Sequence, residues 1–465
     1  MKKIKEVMLV MPDLSYIKDY FDLRIEESET TLLQFRGKEL ETVQRNFERG
    51  GFFRIFKNGN WVSTSFNDVE RYLAKEYVDK MLKDGERLKA KEGKLILLPP
   101  KVDKKVYSLI EENELLAYQF DLLRRYNNIL LSSEKIITTN AIYNDRLVKK
   151  IFYSSEGREL EYTIFYYSLY LVAISKEGNI ICDYGISFSG SKILTGEVSL
   201  KEILKNLENK EKEVEEAVKI AVDLLKAESV VGGIYDVLID QRLAGVFAHE
   251  AFGHLSEADH IYGNEKLKQL MAIGQRYGNE ELSIVDDPTL KDLRGSYLYD
   301  DEGVEGKKTY LLKAGKIYGH LHSKETAAKM NGEVSGNARS VSYRQPPIVR
   351  MSNTYIEPRD KNFEELLDLL NNGLYVCGAR GGQTELENFS FASQYAYEVK
   401  NGKIGKMVKD VTICGNVFET LKNIKAIGND LKFFGGSCGK GGQYPLPVSD
   451  GAPHILIAKV IIGGR

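Results

Sequence analysis

The chain has 465 residues, enough for two or three domains with separate cores. Its composition, 43% hydrophobic and 28% charged with a net charge of −2, is that of a soluble globular protein and offers no basic excess for neutralising nucleic-acid phosphates. No apolar run approaches the ~20 residues that cross a bilayer, so neither nucleic acid nor membrane is an expected partner.

The opening "MKKIKEVMLVMPDL" starts like an export signal, but Pro12 and Asp13 stop the apolar run too early. Cys182, Cys377, Cys414 and Cys438 lie far apart with no Cys-x-x-Cys pair. That dispersal fits a reducing compartment, and the expected location is cytoplasmic. "YFDLRIEE" alternates as a strand from Tyr20, and "GGFFRIFKNGNWVSTSF" predicts a hairpin turning at Asn58-Gly59-Asn60. Helical patterns follow over about 68–91 and about 106–126, the second carrying Leu115, Leu116, Phe120 and Leu123. Strands return over 136–187.

Residues 200–227 read as one amphipathic helix, with Ile203, Leu207, Val214, Val218 and Leu225 in its apolar stripe. Gly232-Gly233 ends that pattern and sets the expected domain boundary, 1–231 and 232–465. The second part opens with the strand "IYDVLID", continues into a helix with two histidines, and then becomes rich in Gly, Asn and Tyr. "FEELLDLLNNG" predicts a helix ending at Gly373, and "QYAYEVKNGKIGKMVKDVTICG" predicts strands turning at Asn401-Gly402. Strands and helices do not alternate regularly, so the expected class is α+β in both parts.

The chemistry concentrates in "GVFAHEAFGHLSEAD". Imidazoles ligate zinc, and a neighbouring carboxylate can take a proton from a metal-activated water. A zinc-peptidase helix separates its histidines by four residues, but His249 and His254 are five apart. On a regular helix that spacing turns them roughly 140° away from each other. A one-residue π-type widening would restore a common face, and Gly253 is where backbone freedom would ease it. The expectation is a wide or broken turn between Glu250 and His254; the alternative is an ordinary helix with one buried and one exposed histidine.

Two histidines need a third ligand. His260 and Asp259 are expected to be exposed in the following loop, and His320 and His322 share a strand face with nothing else around them. Cys438, in "FFGGSCGKGGQYPLP", is the better candidate, because the glycines permit close backbone approach; the alternative is a small buried residue in a turn. Two histidines and a thiolate would leave zinc a net charge of +1, enough to acidify water. Gly439-Lys440 fails as a phosphate loop, since Phe434 and Gly441 occupy its required glycine and hydroxyl positions. Asp300-Asp301-Glu302-Gly303 reads as a tight turn, the alternative being a place lining the cleft, and Arg294 and Arg350 as arginines for a peptide carboxylate or for surface acids.

"HEAFGHLSEAD" resembles the His-Glu-x-x-x-His motif of the TldD/PmbA family, on its metal-binding TldD side. The likeness continues through "VDDPTLKDLRGSYLYDDEG", "GNARSVSYRQPPIVRMSNTYI", "GNDLKFFGGSCGKGGQ" and Gly463-Gly464, and "YFDLRIEES" is similar to the family's N-terminal domain. The resemblance implies two α+β domains: an N-terminal antiparallel sheet with helices, and a strand-rich C-terminal metalloprotease domain carrying the histidine helix. It implies Zn²⁺ held by His249, His254 and Cys438, with Glu250 as general base. It implies extended or unfolded polypeptide substrates cleaved inside an enclosed chamber. It also implies a dimer, with itself or with a metal-free PmbA-type paralogue. The rival readings are a non-catalytic peptide-binding or assembly subunit and a metal-dependent amidase on small molecules.

Overall fold

A computed structural model describes residues 14–68, 75–385 and 387–464. The N-terminal apolar run and residues 69–74 of the first predicted helix lie outside the described residues.

The first sheet is built from unusually long strands, in the order Asn60–Phe66, Glu39–Lys57, Tyr20–Arg36, Ile136–Ser154, Arg158–Glu177, Lys101–Lys104, with Ile180–Ile193 also paired to Arg158–Glu177. All pairs are antiparallel except the short Lys101–Lys104. The predicted first hairpin turns at Asn58 and Gly59, both with positive φ (52° and 70°), the conformation that matches strand twist in a two-residue loop. Helices Leu115–Leu130 and Glu211–Asp223 cover one region of the sheet, burying Leu122, Leu123, Tyr126, Val214 and Val218 against Leu33, Tyr143, Leu169 and Leu171. Helix Lys75–Arg87 covers a separate cluster through Val78, against Leu23, Ile25 and Phe53.

Two helix predictions need correction. The pattern over 106–126 divides into a strand, Tyr107–Leu109, and a helix starting only at Leu115. Tyr107–Leu109 pairs in parallel with Gly196–Val198, and that distant partner outweighs local propensity. The single helix over 200–227 is two, Leu200–Leu204 and Glu211–Asp223, broken where Asn209 adopts a left-handed φ of 58°. Both pieces still bury apolar residues in the same core, so the stripe was continuous although the helix was not.

From Glu228 onward the described residues form one short pair, Ala338–Arg339 with Ile348–Val349, and two large sheets. One runs Glu228–Ser229, Lys403–Lys409, Asn388–Lys400, Gly373–Glu385, Gly233–Ile239, Ile455–Gly463, Thr412–Asn416. The predicted turn is present there, with Asn401 and Gly402 at φ of 50° and 71°. The predicted helix Phe363–Leu370 is capped by Asn362 and ends at Asn371, two residues before Gly373 begins a strand. The other sheet runs Lys316–Ile317, Thr309–Lys313, Ile284–Asp286, Asn353–Ile356, Gln443–Ala452, Lys432–Lys440. The segment carrying the two histidines lies in the core these two sheets share. Leu243, Phe247, Ala248, Ala251 and Phe252 meet Val237, Val376 and Phe391 from one sheet and Ile284, Ile356 and Val448 from the other. A helix apolar on nearly every side belongs in such a layer. The architecture is α+β and strand-rich.

Asp300, Asp301 and Glu302 do more than turn the chain. All three are buried; Asp300 accepts from the backbone of Glu302, Val304 and Ala338, while Asp301 and Glu302 join the first sheet to the C-terminal part. Asp301 lies 2.9 Å from Lys150 Nζ and 3.7 Å from Arg24, and Glu302 lies 2.9 Å from Arg54 Nη2. Among the described residues no helix is long and apolar enough to cross a membrane.

Candidate metal centre

The strand Gly233–Ile239 ends at Asp240, whose carboxylate caps the next helix by accepting from Leu243 N at 2.8 Å. The helix is α-helical over Gln241–Val246, widens to a π turn over Phe247–Gly253, and tightens to a 3₁₀ turn over His254–Ser256. A π turn closes every five residues, so the five-residue spacing of His249 and His254 becomes a single turn. Their rings lie 5.3 Å apart and nearly perpendicular, at 87°. Gly253 serves this geometry differently from the expectation. Its φ of −58° and ψ of −49° are ordinary helical values, so no special backbone freedom is used. What demands glycine is space, because a Cβ there would sit 2.0 Å from Met351 Sδ.

Cys438 arrives from the strand Lys432–Lys440, 184 residues beyond His254, and places Sγ 3.5 Å from His254 Nε2. One donor atom from each of His249, His254 and Cys438 falls within 4.8 Å of the others. A tetrahedral zinc ion keeps such donors roughly 3.5 Å apart, the separation already present between Cys438 Sγ and His254 Nε2. His249 is 2% exposed and Cys438 3%. Glu250 lies beside them, Oε2 3.7 Å from His254 Nε2, with its side chain 32% exposed.

Each imidazole is backed by a carboxylate. His249 Nδ1 is 2.9 Å from Asp450 Oδ1, and His254 Nδ1 is 2.9 Å from Glu257 Oε2. The His254–Glu257 contact is a hydrogen bond, which orients the imidazole and raises its basicity toward a metal, whereas His249 and Asp450 approach closely but off the line of a hydrogen bond. Burial lowers the pKa of His254, but Glu257 and Cys438 overcome it and lift the imidazole to about 9. Burial likewise works against the charged form of His249, and Asp450 with Cys438 raises it well above the ordinary value. Burial raises the Cys438 thiol, yet the charge of His249 and hydrogen bonds to both histidines bring it down to about 5. The thiolate, which is the form that ligates metal, therefore prevails at neutral pH. Burial raises the Glu250 carboxyl, with His249 and His254 only partly offsetting it.

Three family descriptions cover most of the chain: "PmbA/TldA metallopeptidase domain 1" over residues 21–88, the "central domain" over 105–225, and the "C-terminal domain" over 232–464. The chain belongs to the PmbA/TldD metallopeptidase family. A metalloprotease of Synechocystis, slr0863, is 37% identical across 96% of this chain and 95% of its own length. The "Zinc metalloprotease TldD homolog" of Saccharolobus solfataricus is 29% identical across 100% of this chain and 98% of its own. Several such relatives mark the chain as TldD-type. TldE from Thermococcus kodakarensis shares the fold, with a TM-score of 0.75, 17% identity, and coverage of 96% and 97% of the two chains.

The remaining sequence candidates fall elsewhere. Asp259 and His260 lie on the short helix Ala258–Tyr262, not in a loop; His260 is exposed, and Asp259 holds Lys440. His320 and His322 are not on a strand, and they bond Met271 O and Thr326 Oγ1. Arg350 is fully buried and donates to Gln443 O, while Arg294 donates to Gly436 O, so neither meets a surface acid. Sequence reasoning missed Glu257, Asp450 and Lys440. Only Glu257 left a local signal, a carboxylate three residues after a histidine.

Proposed function

We propose that this protein is a zinc-dependent peptidase that hydrolyses peptide bonds in extended or unfolded polypeptides. The observation that carries the proposal is the convergence of His249, His254 and Cys438 donors within 4.8 Å, with the Glu250 carboxylate beside them. Bound zinc would supply Lewis acidity, acidifying water and polarising the scissile carbonyl. His249, His254 and Cys438 would hold the ion, the imidazoles backed by Asp450 and Glu257. Glu250 is the general base: its Oε2 takes the water proton and returns it to the leaving amine. Its partly exposed, pKa-raised carboxyl suits both transfers.

The substrate class is supported by the strand Lys432–Lys440, which carries Cys438 and forms the edge of its sheet. An extended peptide paired along that edge would be recognised through main-chain hydrogen bonds, which are indifferent to side chains. The protein is proposed to act in the cytoplasm as a dimer, with a second copy or with a metal-free PmbA-type paralogue. The rival assembly subunit would bind peptide without cleaving it. The rival amidase would cleave single amides as well as long peptides, whereas strand pairing favours length.

The test is metal content and peptide hydrolysis of wild type and Glu250→Gln, alone and with any copurifying paralogue. The variant is expected to keep its metal and lose activity by about 10²-fold or more. Cleavage by Glu250→Gln at the wild-type rate would remove the mechanism.

A further inference from the structure

We infer that Lys440 is a positioning residue of the metal centre, acting through Glu257 to lock the Cys438 strand against the His254 turn. Lys440 stands two residues after Cys438, where the strand register shifts, and Gly441 and Gly442 then turn the chain with φ of 57° and 75°. That turn sends the lysine side chain away from solvent, leaving it 8% exposed. Its ammonium lies 2.7 Å from Asp259 Oδ1, 2.8 Å from Val349 O and 3.0 Å from Glu257 Oε2. The same Glu257 oxygen is 2.9 Å from His254 Nδ1, and Glu257 is fully buried.

Those distances decide what Lys440 does. An ammonium has three N–H donors, and three acceptors already surround it, so none remains for a substrate carboxylate or a phosphate. Glu257, Asp259 and His260 could resemble a second cation site, since their ligand atoms lie within 4.8 Å. Lys440 itself is the cation there. Without it, Glu257 would be a buried carboxylate between the imidazoles of His254 at 2.9 Å and the exposed His260 at 4.0 Å, free to turn from the first toward the second. With it, two ligands from segments 184 residues apart are tied through one ion-paired carboxylate.

This inference rests on the reading that His249, His254 and Cys438 bind metal. The test is zinc affinity, by chelator competition, of wild type, Lys440→Met, Glu257→Gln and the double variant, with the cobalt-substituted spectrum as a second readout. Each single variant is expected to lose 10- to 100-fold in affinity. The double variant should lose no more than the worse single one, because both changes break one connection. The thiolate-to-cobalt band should shift in Lys440→Met although Cys438 is intact. Zinc affinity within threefold of wild type in folded Lys440→Met, or losses that multiply in the double variant, would overturn the positioning role. If Lys440→Met does not fold, Glu257→Gln and Asp259→Asn carry the test, and wild-type affinity in both overturns it. Failure of wild type itself to bind zinc would instead strike the underlying metal-site reading.

Discussion

Replacing Gly253 by alanine sets two effects of opposite sign against each other. In a helical conformation, alanine in place of glycine stabilises by about 0.5–1 kcal/mol. Gly253 has helical φ and ψ, so backbone preference alone predicts a more stable protein. The added methyl, however, would lie 2.0 Å from Met351 Sδ, 3.3 Å from its Cε and 3.4 Å from its Cγ. Met351 is fully buried in the core shared by the two C-terminal sheets, so its sulfur has no solvent to move into. Overpacking of a filled core costs about 1–3 kcal/mol, and an overlap of this depth belongs at the upper end. The net expectation is a loss of about 2 kcal/mol in metal-free protein. Because Gly253 adjoins His254, zinc affinity should fall as well. Met351→Ala in the same chain should recover part of both losses by making room. Denaturant unfolding and chelator competition on the single and double variants read the two effects separately. A Gly253→Ala protein as stable as wild type, with unchanged zinc affinity, would refute the claim that lack of space beside Met351 demands glycine there.

Other outcomes follow from the charges around the site. Asp450→Asn should weaken zinc binding by about tenfold or more while leaving Cys438 and His254 in place, and unchanged affinity would deny Asp450 its hold on His249. With His254 raised to about 9 and Cys438 lowered to about 5, the metal-free site favours an imidazolium and a thiolate at pH 7, so zinc uptake should release at least one proton. Calorimetry in buffers of different ionisation heat counts them, and a count of zero would contradict the assigned protonation states. Burial raises the Glu257 carboxyl, but His254 and Lys440 outweigh it and bring the pKa from 4.5 down to about 2. A carboxylate lowered on folding contributes stability that is present above pH 4.5 and disappears as the pH falls toward 2. His254, raised from 6.5 to about 9, reports the other side of the same ion pair: its contribution is complete below pH 6.5 and fades as the pH rises through 9. Metal-free wild type and Glu257→Gln should therefore differ most between pH 4.5 and 6.5, by about 3 kcal/mol, and equal unfolding curves across that range would exclude the pair. Lys324 is fully buried against Glu156, so Lys324→Met should cost about 3–5 kcal/mol by leaving that buried carboxylate without its cation, measured by denaturant unfolding.

Much of the candidate site is legible in local sequence because local geometry constrains it. Five-residue spacing admits a shared face only where the helix widens, and that follows from residues per turn alone. Asn58-Gly59 and Asn401-Gly402 likewise specify their turns, since both positions need positive φ. The helix over 200–227 shows the limit. Its apolar stripe is real, yet the backbone breaks at Asn209, and two short helices share one core.

The sequence by itself determined the α+β character, the tight turns, and the demand that the chain between Glu250 and His254 depart from an α-helix. These depend on periodicity and on φ and ψ, which neighbouring residues control. Tertiary structure alone decided that Cys438 reaches His254, that Asp450 and Glu257 back the two imidazoles, and that Lys440 is spent inside the protein. It also decided that Gly253 is glycine for want of room beside Met351. Electrostatics and packing act between atoms that are near in space, and here those atoms come from segments as much as 184 residues apart.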